Sequence, residues 1–248
     1  MIIQEAAIWQ PLLFDLMLRI FILAFLFGTN VIATSAQFVV PKMQIHTLPF
    51  YQPGLAVELV PGRQYSLQTS FYYRLPYGNR NVITRSFLNK SETISDRLDG
   101  YAITGEFRAY SRRSRNSAVK IHAGLFFRYY SYQLNTRMQL AENQYDLNAA
   151  LKSSGIGLQF GIQWFIQKVY TIDLCLFGAG IGRHELQGEA AQVSGSGNIG
   201  LLEDRLQEIP LWGSRILLQE EAGSGSIRFS NAYMAPIFRI SLGTGIVF

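Results

Sequence analysis

The chain has 248 residues, of which 48% are hydrophobic and 16% charged, and its 22 Lys and Arg against 17 Asp and Glu give a formal net charge of +5. No Lys/Arg run exceeds two residues, so the basic excess is scattered and nucleic acid is not an expected partner. The lone Cys175 excludes an internal disulfide framework and any cysteine-rich metal site, while 13% aromatic residues and 22 glycines favour strands and turns.

In chain order, the first element lies within residues 17–37. Arg19 precedes an apolar run from Ile20 to Phe27, and the small residues Thr34, Ser35 and Ala36 precede Gln37. This is the layout of a secretory signal peptide, and its apolar core is shorter than the roughly 20 residues of a spanning helix. Glu5 and Asp15 place negative charge where a signal peptide carries positive charge, which points to Met17 as the true start. Residues 1–36 are therefore expected to be a leader, and the mature chain to begin at Gln37 beyond the inner membrane of a double-membraned bacterium.

After Gln37 the pattern changes to alternation of apolar with polar or tiny residues, the signature of strands. The expected strands are 43–50, 54–60, 64–75, 101–112, 118–134, 151–165, 169–183 and 238–248. In the third, Tyr65, Leu67, Thr69, Phe71 and Tyr73 oppose Ser66, Gln68, Ser70, Tyr72 and Arg74. In the sixth, Ile156, Leu158, Phe160, Ile162 and Trp164 oppose Gly157, Gln159, Gly161 and Gln163. In the last, Phe238, Ile240, Leu242, Ile246 and Phe248 share one face and Arg239, Ser241, Gly243 and Gly245 the other.

Eight strands close an up-and-down antiparallel barrel with both ends on one side. The connections at 61–63, 113–117 and 166–168 are short, whereas 76–100, 135–150 and 184–234 are expected to be long external loops. Within the last, Leu202, Leu206 and Ile209 have helical spacing, and 216–218 and 227–229 have strand character.

The content of the two faces then indicates which one meets which solvent. One collects Glu58, Arg74, Glu106, Arg108, Lys120, His122, Arg128, Asp173 and Arg239; the other is nearly free of charge in mid-strand. On a lipid-facing surface each Arg or Lys at midplane costs about 2–4 kcal/mol, so the uncharged face is expected outside. Tyr65, Tyr73, Tyr101, Trp164 and Tyr170 fall near strand ends, where interfacial girdles form. An eight-stranded barrel is just wide enough to be filled by its own side chains. Glu58, Glu106, Arg108, Arg128 and Arg239 are therefore expected to form an interior charge network.

No catalytic motif accompanies this pattern. His184, beside Glu185, is the best-placed histidine for chemistry at the rim; His46 and His122 fall on the inner face, and the three are too dispersed for a metal site. No catalytic residue, metal or cofactor is expected.

The segments Leu55-Ala-Val-Glu-Leu59, Gly105-Glu-Phe-Arg-Ala-Tyr110 and Gly124-Leu-Phe-Phe-Arg-Tyr-Tyr130, together with the strand ending at Phe248, resemble the small OmpX- and OmpW-type outer-membrane barrels and poorly characterised relatives of that architecture. The resemblance covers most of 43–183 and 235–248 and not 184–234. It implies an all-β, eight-stranded transmembrane barrel in the cell outer membrane, with Phe248 as the signal read by the barrel-assembly machinery, and it supplies no catalytic residues. The expected partners are outer-membrane lipid, that machinery and an extracellular ligand or protein reached by the loops. The expected role is structural or surface-interacting and not enzymatic. The alternatives are a narrow pore or small-molecule transporter and a lipid-modifying outer-membrane enzyme.

Overall fold

The structure, a computed structural model, describes residues 38–46, 52–61, 64–74, 93–111, 118–140, 142–194, 200–207, 216–221 and 226–248. The expected leader over 1–36 and the expected start at Met17 lie outside the described residues.

Among the described residues, nine strands and one helix follow in chain order: β1 (Phe38–His46), β2 (Gln52–Val60), β3 (Tyr65–Arg74), β4 (Thr93–Tyr110), β5 (Val119–Leu140), β6 (Asn143–Ile166), β7 (Tyr170–Ser194), α1 (Gly200–Gln207), β8 (Leu217–Glu221) and β9 (Ser226–Ile246). From β1 to β7 each strand pairs antiparallel with the next; β7 pairs with β9, and β9 returns to β1 through Lys42–Gly245 to His46–Ser241. The result is a closed ring of eight staves, with β8 attached to the upper part of β9 outside the ring. Among the described residues, closure between β1 and β9 joins the two ends of the sheet in the lower barrel. Val39 and Phe248 complete the seam by exchanging two backbone hydrogen bonds of 3.3 and 3.1 Å. Pro41, which has no N–H to donate, falls between those bonds and the ladder that starts at Lys42.

The β2–β3, β4–β5 and β6–β7 connections and the seam at Val39 lie at the lower end. The β6–β7 connection is residues 167–169, in which Gln167 and Lys168 take φ of 51° and 61° and the Val169 N–H donates to the Ile166 carbonyl at 3.1 Å. Positive φ at both central positions defines a type I′ turn, a conformation that favours Asn-Gly and strains other residues. The double change Gln167→Asn, Lys168→Gly is expected to raise barrel stability by about 1 kcal/mol, read as a higher urea midpoint at unchanged slope.

The upper end differs from the expected loops. Residues 135–150 are not a loop: β5 runs to Leu140 and β6 starts at Asn143, with only residues 141 and 142 between them. β4 begins at Thr93, inside the expected 76–100 loop. β7 extends to Ser194 and β9 starts at Ser226, so both ends of the expected 184–234 loop are strand, and α1 and β8 lie between them.

The physical reason is a change in which face is apolar. Low on β5, Val119, Ile121, Leu125, Phe127 and Tyr129 point outward; higher up, Tyr130, Tyr132, Met138 and Leu140 are buried inward while Gln133, Asn135 and Arg137 point out. β6, β7 and β9 make the same switch. Their upper inward residues Tyr145, Leu147, Ala149, Ala190, Ile227 and Phe229 pack with Met138 and Leu140 against Leu202 and Leu206 of α1 and Ile216 beside β8. The barrel thus continues upward as a hood that has an ordinary hydrophobic core and a polar outer face. On that face Arg137 binds Asp146 through two hydrogen bonds of 2.6 and 2.9 Å. These bonds hold the Asp146 carboxyl below its usual range.

Candidate functional site

Inside the lower barrel, alternation delivers one side chain per two residues from every stave into a volume closed to water. Lys42 of β1, Glu58 of β2, Glu106 and Arg108 of β4, Asp173 of β7 and Arg239 of β9 are all buried there. They are joined pair by pair. Lys42 Nζ lies 2.6 Å from Glu58 and 2.8 Å from Asp173. Arg108 reaches Asp173 at 2.5 Å and Glu106 at 2.6 Å, and Arg239 reaches Glu106 at 2.5 Å. Three cations meet three carboxylates, so the cluster is neutral, as a desolvated interior requires.

Neutral donors and acceptors complete it. Glu58 accepts from Ser66 (2.5 Å), Tyr110 (2.5 Å) and Gln163 (3.0 Å). Glu106 also accepts from Gln68 (3.1 Å) and Gln159 (2.8 Å), and Gln159 Oε1 accepts from Arg239 at 2.6 Å. Glycine on the opposite wall makes the space. A Cβ on Gly157 would stand 2.7 Å from the Phe126 ring, and one on Gly161 2.6 Å from His122 Nε2. Phe126 in turn lies beneath the Arg239 guanidinium, 5.9 Å from its ring centroid. These buried side chains meet in the middle of the barrel.

Of the residues expected in this network, Glu58, Glu106, Arg108 and Arg239 stand together. Arg128 is buried one tier higher, its guanidinium 5.6 Å from the Tyr130 ring centroid. Two members, Lys42 and Asp173, were not expected in it. Asp173 sat on the polar face of its strand and gave a legible signal. Lys42 lies just outside the expected first strand, 43–50; β1 instead runs Phe38–His46.

Above the charges an aromatic tier separates barrel from hood. Tyr72 donates to Gln44 at 2.5 Å, Gln52 donates to Tyr132, and Tyr130 and Tyr132 lie 5.0 Å apart. His184 is buried here, its Nδ1 3.0 Å from the Tyr130 hydroxyl and its ring stacked on Tyr233 at 5.1 Å.

The outer surface of the barrel is the complement of its interior. Met43, Leu55, Val57, Phe71, Ile103, Phe107, Ile121, Leu125, Leu158, Phe160, Phe177, Ile181, Phe238 and Leu242 are all exposed. The belt is about 33 Å long measured along β5 from Val119 to Tyr129. Outward-facing charge begins above it, with Lys152 on β6 and the Arg183–Glu185 pair (2.9 Å) on β7. Tyr65 and Tyr170 lie low on the belt, and Tyr73, Tyr101 and Tyr129 high on it. Tyr65 stacks on Phe107 at 5.7 Å, and Tyr101 lies 6.2 Å from both Phe71 and Tyr129.

No protein-family model matches the chain, and no curated protein matches its sequence. Solved structures do. The N-terminal β-barrel domain of Pseudomonas aeruginosa OprF aligns with 86% of this chain and 98% of its own, at 8% identity and TM-score 0.28. Acinetobacter baumannii CarO aligns over 84% and 97% at 11% identity and TM-score 0.38. A major outer membrane protein from Thermus thermophilus aligns over 86% and 100% at 11% identity and TM-score 0.39.

His184 faces the interior, whereas its neighbour Glu185 faces outward, so the two do not form one reactive pair. The other strand-borne histidine with a described side chain, His122, is buried with Nε2 3.3 Å from Asp173. Among the described residues no group of three or more His, Cys, Asp or Glu could hold a metal ion. Cys175 is buried and unpaired as a thiol. The Phe248 side chain is 74% exposed while its backbone is tied to Val39.

Proposed function

We propose that this chain is a β-barrel protein of a bacterial outer membrane, with a side-chain-filled interior and a structural or surface-interaction role exercised by the hood. The observation that carries this reading is the reversal of polarity along single strands. A surface that is apolar over a closed belt and polar directly above it matches two solvents stacked along the barrel axis, lipid and then water. At the roughly 40° tilt of such barrels, a strand run of about 33 Å stands about 25 Å tall, the height of an outer-membrane apolar band. No helix among the described residues is long and apolar enough to cross a membrane, which has no bearing on strands. Kinship with OmpX- and OmpW-type barrels belongs to this reading and rests on the strand motifs.

Outer-membrane lipid would contact the belt, barrel-assembly machinery would read the seam strand ending at Phe248, and an extracellular ligand or protein would meet the hood. The role is read as non-enzymatic because His184 is turned away from any lipid headgroup and held by tyrosines. The pore alternative is disfavoured by Arg108, Arg239 and Phe126 occupying the middle of the barrel. Fractionation of expressing cells, with gels run on heated and unheated samples, tests the placement. The expected result is recovery with outer membranes and faster migration unheated; a soluble, unshifted protein overturns it. Stepwise conductance in planar bilayers would replace the filled interior with a pore.

A further inference from the structure

We propose that His184 is a pH-sensitive latch between barrel and hood, holding the hood closed while neutral and loosening it once protonated. Its position is the first observation. It sits on β7 where the outward face changes from Ile181 to Arg183, so the same row of residues ends the belt and begins the hood.

Its surroundings are the second. From β5 it meets Tyr130, with Arg128 over the same tyrosine ring and Tyr132 beside it. From β9 it meets the Tyr233 ring and the Ala235 backbone. From β6 its ladder partner is Ser153. On its own strand, Arg183 and Glu185 point outward and pair with each other. Among the described residues, the only formal charge on these inward groups is the Arg128 cation, and no carboxylate forms an ion pair with His184. Its Nε2 is buried with no side-chain partner, and only the Ala235 backbone approaches the ring there. A proton there would place a second cation beside tyrosines, near Arg128, with no carboxylate to compensate it and only the Ala235 backbone to favour it.

Burial accordingly pushes the imidazole below its ordinary range, against a smaller opposing pull from the Ala235 backbone. An opened hood exposes a histidine that binds its proton with the ordinary value of about 6.5. The closed hood is therefore fully stable above that pH and loses stability as the pH falls below it. The hood core of Met138, Leu140, Tyr145, Ile227 and Phe229 rests directly on this tier, so loosening there uncouples the hood while the lower ion-paired barrel remains closed.

The test is hydrogen exchange of the purified full chain in phospholipid vesicles at pH 7.5 and pH 5, corrected for the intrinsic pH dependence of exchange. Expected is exchange about tenfold faster at pH 5 in 131–152, 184–194 and 226–233, with 119–129 unchanged. His184→Gln and His184→Phe should remove the pH dependence of the hood. Equal protection at both pH values, or the same acid loss in both variants, overturns the proposal. If both variants fail to fold, titration of the His184 ring by NMR in the native chain decides: a value well below about 6.5 supports the latch, and one at or above it overturns the proposal.

Discussion

Replacing Glu106 by leucine is expected to cost the barrel about 3–5 kcal/mol, the usual consequence of removing one partner from a buried ion pair. Glu106 accepts from both Arg108 and Arg239, but the two arginines are not equally dependent on it. Arg108 keeps Asp173 at 2.5 Å, whereas Glu106 is the carboxylate that compensates Arg239. The loss is therefore mainly the cost of a lone, desolvated Arg239. It follows that Glu106→Leu combined with Arg239→Leu should be more stable than Glu106→Leu alone, because no unpaired charge is left behind. Urea unfolding in lipid vesicles reads the double variant and the two single variants, Glu106→Leu and Arg239→Leu. A double mutant that loses the sum of the two single effects would show that the residues act independently.

The second large effect concerns the outside. Leu158 is 67% exposed within the belt, opposite Leu125 on β5 and Ala179 on β7. In water, Leu158→Arg would be nearly neutral, within about 0.5 kcal/mol, as for other surface substitutions. In lipid it should cost about 2–4 kcal/mol, since the guanidinium must enter hydrocarbon. Gln133→Arg, on the outer face of the same wall but in the hood, should stay within about 0.5 kcal/mol in either setting. Comparing the pair in vesicles measures where the lipid ends along β5 and β6. An equal response at both positions would contradict a membrane boundary between them.

The polarity reversal also explains why the lower barrel was legible in the sequence and the hood was not. Below the boundary, alternation holds one phase, as in Leu55, Val57 and Leu59 or Ile156, Leu158 and Phe160, and those strands can be read residue by residue. Across the boundary the period stays at two but the apolar residues change parity, from Phe127 and Tyr129 to Tyr130, Tyr132 and Met138. A reader following one apolar face meets polar Ser131, Gln133 and Asn135 and takes the strand to have ended. The strand continues; the solvent beside it changes. Leu202 and Leu206 show the same limit in another form, since their helical spacing was visible while the sheet they cover was not.

For the interior network, Glu58, Glu106, Arg108 and Arg239 were readable as inward-facing charges because each sits in phase within a regular strand. Their pairing was not. Lys42 of β1 and Asp173 of β7 are 131 positions apart in the chain and meet at 2.8 Å only because closure brings their staves round to face one interior. His184 was singled out as a rim histidine, and its burial depends on the neighbouring staves β6 and β9 and on Tyr130 reaching across.

By itself the sequence determined the strand period, the eight staves and the sorting of charge to one face, because each is read from alternation within single strands. Only the tertiary structure decided which charges compensate one another, where the belt stops and that the upper strands fold over α1 as a hood. Those depend on side chains brought together by ring closure and on which solvent each face meets, and neither is encoded within a single strand.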